Sequence, residues 1–217
     1  MPDWDVYLVT GESLSAGRTT REVVDAAIEG GVGVVQLREK DRTVRERYEM
    51  GRAVREQCRE AGVTFVVNDR VDLAQALDAD GVHLGEEDLP VPVARELLGA
   101  EAVIGRSVST VTEAEAAEDA GADYLGVGTV YRTGSKDDIP EETHGVGPER
   151  VAEIAAAVDI PLVGIGGITA ENAGEVAAAG ADGVAVITAI TRADDPAAAT
   201  AALGEAVERS RSARDNR

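Results

Sequence analysis

The sequence predicts an α/β fold in one domain, a (β/α)8 (TIM) barrel spanning residues 1–217. Three observations carry this expectation. First, one phrase recurs along the chain: a helix ending in small residues, a Gly or acidic turn, then a short apolar strand. It reads Glu29-Gly-Gly-Val-Gly-Val-Val-Gln-Leu37, then Ala61-Gly-Val-Thr-Phe-Val-Val-Asn68, and returns before Leu84, Val127 and Val186. Second, the strands are nearly continuous Val, Ile and Leu, as required when both faces of a parallel sheet are buried. Third, a Gly-Gly turn follows the seventh strand, while no G-x-G-x-x-G follows the first. Both facts favour a closed barrel over a doubly wound open sheet.

Taken in order, the strands are expected near Val6–Thr10, Val34–Leu37, Thr64–Asn68, Gly81–Leu84, Val103–Ser107, Tyr124–Val127, Leu162–Ile165 and Val184–Ile187. Helices fill the intervals. The clearest is Val44–Ala61, with Thr43 as N-cap and Glu46 at the capping-box position. Val44, Tyr48, Gly51, Val54 and Cys58 follow helical spacing and are expected on one buried face. A last amphipathic helix is expected over Ala197–Ser210. Most connections must be tight in a chain of 217 residues. The exception is a polar, Gly-rich stretch of roughly twenty residues, about 128–147, and a loop of that length in such a barrel reads as a lid or binding loop.

Composition excludes several classes of partner. The net charge of −20 would repel nucleic acid and anionic membrane. The acid is spread along the chain and comes with two lysines and six aromatic residues. That combination suggests a salt-rich, halophilic cytoplasm, where screening removes self-repulsion. Cys58 is the single cysteine, so an internal disulfide is ruled out and a small core residue is expected. No secretory signal or membrane-spanning run is read, and a reduced, cytoplasmic protein is expected. The partners expected are small molecules; a homo-oligomer is left open.

The two lysines, Lys40 and Lys136, stand against nineteen arginines. Each lies just past an apolar strand in a polar stretch. A compact ammonium gripping a phosphate oxygen is a role in which Arg does not simply replace Lys. In a barrel the site lies where the strands exit at their C-terminal ends. The second strand exits through Gln36, Arg38 and Lys40, two apart and so on one face, a set suited to a polyanion carrying a hydrogen-bonding ring. Asn68 and Asp69 end the third strand, and Asp88 follows the fourth. A carboxylate pair of this kind suits Mg2+, which often shares its site with phosphates. Taken singly, Asp69 and Asp88 serve equally as N-caps of the helices beginning near Val71 and after Pro90. His83 reads as a packed strand histidine rather than a metal ligand. Ser107 ends the fifth strand. Thr133, Ser135 and Lys136 lie in the long loop. The exits of strands seven and eight, with Gly167, Ile187 and Thr188, match the common barrel phosphate site. Two anion sites at one mouth suggest a transferase joining a diphosphate substrate to a phosphorylated acceptor.

With these elements assembled, the chain resembles the thiamine-phosphate synthase family over essentially its whole length. The likeness rests on Gln36-Leu-Arg-Glu-Lys40, Asn68-Asp69, Gly81-Val-His-Leu-Gly-Glu-Glu-Asp88, Ser107, Thr133-Gly-Ser-Lys136, Ile165-Gly-Gly-Ile168 and Ile187-Thr188. It implies that 4-amino-2-methyl-5-(diphosphooxymethyl)pyrimidine is joined to a thiazole phosphate, or its carboxylated form, giving thiamine phosphate and diphosphate. It implies that Gln36, Arg38, Lys40 and Asn68 bind the pyrimidine diphosphate, that Ser107 and Lys136 contact it, and that Asp69 and Asp88 hold Mg2+. Arg38, Lys40 and Lys136 become the catalytic cations. Thr133, Ser135, Gly167, Ile187 and Thr188 fall to the thiazole phosphate. The chain departs from the family pattern at Arg132, where Pro is usual, Ser109 (His), Glu86 (Gln) and Thr188 (Ser). These changes bear on the lid and on thiazole affinity more than on the reaction. The rival readings are a thiazole tautomerase, a Schiff-base aldolase using Lys40 or Lys136, and a non-catalytic barrel that senses thiazole phosphate. The first lacks the full diphosphate and Mg2+ set, and the second needs a lysine in a dry interior.

Overall fold

The computed structural model describes residues 2–133 and 145–215. Eight parallel strands close into a barrel in sequence order: β1 (Val6–Val9), β2 (Val34–Leu37), β3 (Thr64–Asn68), β4 (Gly81–Leu84), β5 (Val103–Val108), β6 (Tyr124–Gly128), β7 (Leu162–Ile165) and β8 (Gly183–Val186). Closure is made by β1 against β8, with Leu8 beside Val186. The helices are α1 (Thr20–Glu29), α2 (Val44–Ala61), α3 (Val71–Ala76), α4 (Val91–Leu98), α5 (Val111–Asp119), α6 (Gly147–Ala155), α7 (Ala173–Ala178), α8 (Thr188–Thr191) and α9 (Pro196–Asp215). A short 3-10 turn, Glu12–Leu14, precedes α1.

Strand alternation divides the core in two. Outward residues such as Leu8, Val35, Phe65 and Leu125 meet the helices. Inward residues form a second cluster, with Trp4, Tyr7 and Tyr124 among Val34, Val66 and Val163. The recurring phrase now has a local cause. Its acid accepts a backbone N–H from the first or second residue of the preceding strand: Asp80 from Phe65 at 2.8 Å, Asp123 from Ile104 at 2.6 Å and Asp182 from Leu162 at 2.9 Å. These aspartates stitch the barrel floor, opposite the mouth.

Thr43 caps α2 with the expected reciprocal Glu46 bond, and Gly62 ends the helix in the left-handed conformation. Cys58 is fully buried and its thiol is pushed up to about 12 by desolvation. The expected α2 face is only partly buried. Gly51, Val54 and Cys58 are covered, but Val44 is 43% and Tyr48 37% exposed. At roughly 100° per residue, Val44 lies about 50° and Tyr48 about 90° from the centre of the covered stripe. β1 ends at Val9, one residue before its expected end; Thr10 still donates its N–H to the Gln36 carbonyl at 2.9 Å, and its side chain accepts the Arg38 N–H at 3.1 Å. The last strand ends at Val186, one residue before its expected end, because Ile187 turns the chain into α8. The last helix starts at Pro196, with Asp195 accepting the Ala198 N–H at 3.0 Å.

Candidate active site

At the C-terminal ends of β1–β5 a cavity of about 350 Å³ opens at the barrel mouth. Gln36, Arg38, Lys40, Asn68, Asp69, Asp88 and Ser107 all line it. Although β2 ends at Leu37, its alternation continues to Lys40, so the three inward residues converge as their spacing requires. The intervening Glu39 points the other way. It is 4% exposed and accepts the Glu12 N–H at 2.9 Å and the Thr20 hydroxyl at 2.7 Å. That carboxylate pins the turn after β1 to the β2 exit and so sets the aim of Arg38 and Lys40.

Neither aspartate acts as a helix cap. The N-caps of α3 and α4 are Arg70 and Pro90, and neither N-cap side chain makes a capping bond. Asp69 has φ +62°, a left-handed conformation that turns it away from the helix path. Its carboxylate lies 3.5 Å from Lys40 Nζ and beside Asp88. Asp88 accepts the Gly85 N–H at 2.6 Å, which folds the segment 85–88 back over the cavity. Burial pushes the Asp69 carboxyl above its usual range; Lys40 pulls it down and Asp88 pushes it up again. Asp69 is thus a half-buried carboxylate with the Lys40 ammonium on one side and a second carboxylate on the other.

A second, smaller cavity of about 30 Å³ lies between the exits of β6, β7 and β8. Thr133, Gly167, Ile187 and Thr188 line it, together with Thr129 and Gly166. Gly167 sits at φ +63°, and a Cβ there would fall 2.7 Å from the Arg132 carbonyl oxygen. The turn is held by Asn172, whose side chain donates to the Gly167 carbonyl at 3.1 Å and accepts the Thr169 N–H at 2.8 Å. The root of the long loop is tied to the same turn. Val130 and Tyr131 donate to the Ile165 and Gly166 carbonyls at 2.9 and 3.0 Å. On its return the loop comes back to that root, with Gly145 and Val146 donating to the Thr129 carbonyl at 3.0 and 2.9 Å. Ser135 and Lys136 lie outside the described residues. The two cavities share Ile165 and Ala185, so they adjoin.

Sequence reasoning missed the residues beneath the first cavity. Tyr7 and Tyr124 are buried, and the Tyr124 hydroxyl meets His83 Nδ1 at 2.9 Å while His83 Nε2 meets Ser107 Oγ at 2.9 Å. His83 sits in β4 with its ring against Tyr124, as expected of a packed strand histidine, and both its ring nitrogens are also bonded. A signal was present in the interior strand glycines. A Cβ on Gly105 would strike the Tyr124 ring at 2.1 Å, and one on Gly126 would meet the His83 ring at 2.9 Å.

Residues 6–190 match the family model described as thiamine monophosphate synthase. The thiamine-phosphate synthase of Haloarcula marismortui is 72% identical over 97% of this chain and 100% of its own length. That of Moorella thermoacetica is 54% identical over 97% and 99%. Among solved structures, thiamine phosphate pyrophosphorylase from Pyrococcus furiosus superposes with a TM-score of 0.87 at 42% identity, covering 96% of this chain and 97% of its own. A 3-hexulose-6-phosphate synthase, at 16% identity and a TM-score of 0.67, shares the fold alone. With the closed barrel and the two adjoining cavities at its mouth, these matches show that the chain belongs to the thiamine monophosphate synthase family.

Proposed function

We propose that this chain joins 4-amino-2-methyl-5-(diphosphooxymethyl)pyrimidine to a thiazole phosphate, releasing thiamine phosphate and diphosphate, and carbon dioxide as well when the thiazole carries a carboxyl group. The observation that carries the reading is the pair of adjoining cavities at one mouth. One is lined by cations and carboxylates together, the other by a glycine turn and hydroxyls. The first suits a ring bearing a diphosphate and the second a lone phosphate.

The chain's residues fit Mg2+. Asp69 and Asp88 offer hard oxygen donors side by side, and among the described residues no group of three or more His, Cys, Asp or Glu is placed to hold a metal. An ion there would take its remaining ligands from phosphate and water, the habit of Mg2+ rather than of an ion caged by protein. When bound it would neutralise charge on the departing diphosphate. Arg38 and Lys40 grip the same phosphates from β2, and Lys136 reaches them from the long loop. Gln36, Asn68 and Ser107 orient the pyrimidine. Thr133, Ser135, Gly167, Ile187 and Thr188 hold the thiazole phosphate with its ring nitrogen toward the pyrimidine methylene. That nitrogen carries no proton, so no general base is required. The C–O bond breaks ahead of attack, with the electron-rich aminopyrimidine carrying the positive charge. Catalysis is then positioning and electrostatics.

The enzyme works in a salt-rich cytoplasm. Relatives from Haloarcula, Haloquadratum and Natronomonas at 61–72% identity support this, as does the net charge of −20. No described helix is long and apolar enough to cross a membrane. The test is to mix the two substrates with Mg2+ in molar KCl and assay thiamine phosphate and diphosphate. Stoichiometric formation of both is expected. Tight thiazole phosphate binding without product would sink the synthase reading and favour a sensor.

A further inference from the structure

Along the floor of the larger cavity, side chains from five strands form one unbroken hydrogen-bond chain. Gln36 Nε2 donates to the Tyr7 hydroxyl at 2.7 Å. The Tyr7 and Tyr124 hydroxyls lie 2.8 Å apart, Tyr124 meets His83 Nδ1 at 2.9 Å, and His83 Nε2 meets Ser107 Oγ at 2.9 Å. Gln36, Tyr7, His83 and Ser107 line the cavity, with Tyr124 buried behind them.

The direction of the chain follows from counting protons. An amide nitrogen only donates, so Tyr7 accepts from Gln36, and the arrangement that leaves no buried hydroxyl proton without a partner has Tyr7 donating to Tyr124. Tyr124 then gives its proton to His83 Nδ1. His83 carries its proton on Nε2 and donates it to Ser107. Burial pushes the pKa of both phenols up, so neither loses its proton at neutral pH and the direction holds. What remains at the ends is the Gln36 carbonyl oxygen, an acceptor, and the Ser107 hydroxyl proton, a donor. An aminopyrimidine presents the complementary pair, an amine donor and a ring-nitrogen acceptor. The 4-oxo analogue presents the reverse, a carbonyl acceptor and a ring N–H donor.

We propose that Tyr7, Tyr124 and His83 are positioning residues whose one-way hydrogen-bond chain fixes which atoms of Gln36 and Ser107 face the ligand, making the site selective for an aminopyrimidine over its 4-oxo counterpart. The inference rests on assigning the larger cavity to the pyrimidine diphosphate. Gly105 and Gly126 are part of the device, because any side chain there would displace the Tyr124 or His83 ring. A site built to hydrogen-bond one edge rejects the mismatched edge strongly, since its own polar groups are left unpaired.

Two measurements test it in the full-length protein. The chain has two histidines, so 15N NMR of labelled protein, with a His144→Gln control, reads His83 directly. The neutral Nε2–H form is expected; an Nδ1–H form in the wild type overturns the proposal without reference to activity. In the second, calorimetry compares Mg2+-dependent binding of the amino and 4-oxo pyrimidine diphosphates to the wild type, Tyr124→Phe and Tyr7→Phe. The wild type should prefer the amino compound by about a thousandfold or more. Each variant should lose at least about tenfold of that preference, with thiazole phosphate affinity unchanged. Variants that keep the full preference overturn the relay alone. A wild type that binds neither pyrimidine diphosphate overturns the functional reading beneath it.

Discussion

Asp69 shows at the scale of one residue how function opposes stability. Its carboxyl is pushed above the usual range by burial and by Asp88, against the pull of Lys40. A carboxylate whose folded-state affinity for protons is raised subtracts stability at pH values above that range, and the penalty disappears as pH falls below it. Asp69→Asn should therefore raise Tm by about 2–4 °C at neutral pH in metal-free buffer. The gain should vanish below about pH 4, where the wild-type carboxyl is protonated. The same change should cut turnover by at least about a hundredfold, through lost Mg2+ affinity. Calorimetry across pH, paired with the product assay, checks both halves. The residue scale is also where the sequence was least complete. Gln36, Arg38 and Lys40 could be read because strand alternation has a period of two and their chemistry is overt. Tyr7 and Tyr124 could not, because an inward tyrosine spells the same in a sequence whether its hydroxyl is orphaned or linked. The strand glycines Gly105 and Gly126 marked the space taken by the Tyr124 and His83 rings.

At the scale of elements, the long loop and the turn after β7 form one unit. Gly167 lies under the Arg132 carbonyl, and the loop leaves and returns through the backbone of Thr129 and Val130. Gly167→Ala should raise KM for thiazole phosphate about tenfold, near 1.4 kcal/mol. KM for the pyrimidine diphosphate should change less than about twofold, since the strained turn lines the other cavity. Steady-state kinetics with each substrate varied separates the two. Replacing residues 134–144 by a short Gly-Ser linker should abolish turnover by removing Lys136, yet keep Tm within about 3 °C because the loop ends already meet. A collapsed Tm would mean that the segment supports the barrel. The strand boundaries were legible to within a residue or two, because buried parallel strands leave a run of Val, Ile and Leu between turn residues. The α2 face was misjudged for a different reason. Helical spacing says which residues share a direction but not how wide the covered stripe is, and Tyr48 fell outside it.

For the whole molecule the governing term is charge. Forty-one acids face twenty-one Lys and Arg, and among the described residues ion pairs such as Arg45–Glu49, Arg59–Glu56 and Arg209–Glu205 lie largely in solvent. Such pairs contribute little individually, and salt weakens them further. The dominant effect of salt is then relief of the repulsion among unpaired carboxylates. Tm should rise by about 10 °C or more between 0.2 and 3 M KCl. A flat or falling profile, read by circular dichroism, would refute the salt-adapted reading.

The shared wall of Ile165 and Ala185 has a further consequence. Two ligands seated on either side of it are neighbours before any bond joins them. A pyrimidine diphosphate mimic tethered to a thiazole phosphate mimic would make its second contact intramolecularly, at an effective concentration near the millimolar range. Such a two-headed compound should outcompete either half by about a hundredfold or more, with a linker of only a few bonds. Lengthening the linker should weaken it, turning the distance across that wall into a quantity read from a set of inhibition constants.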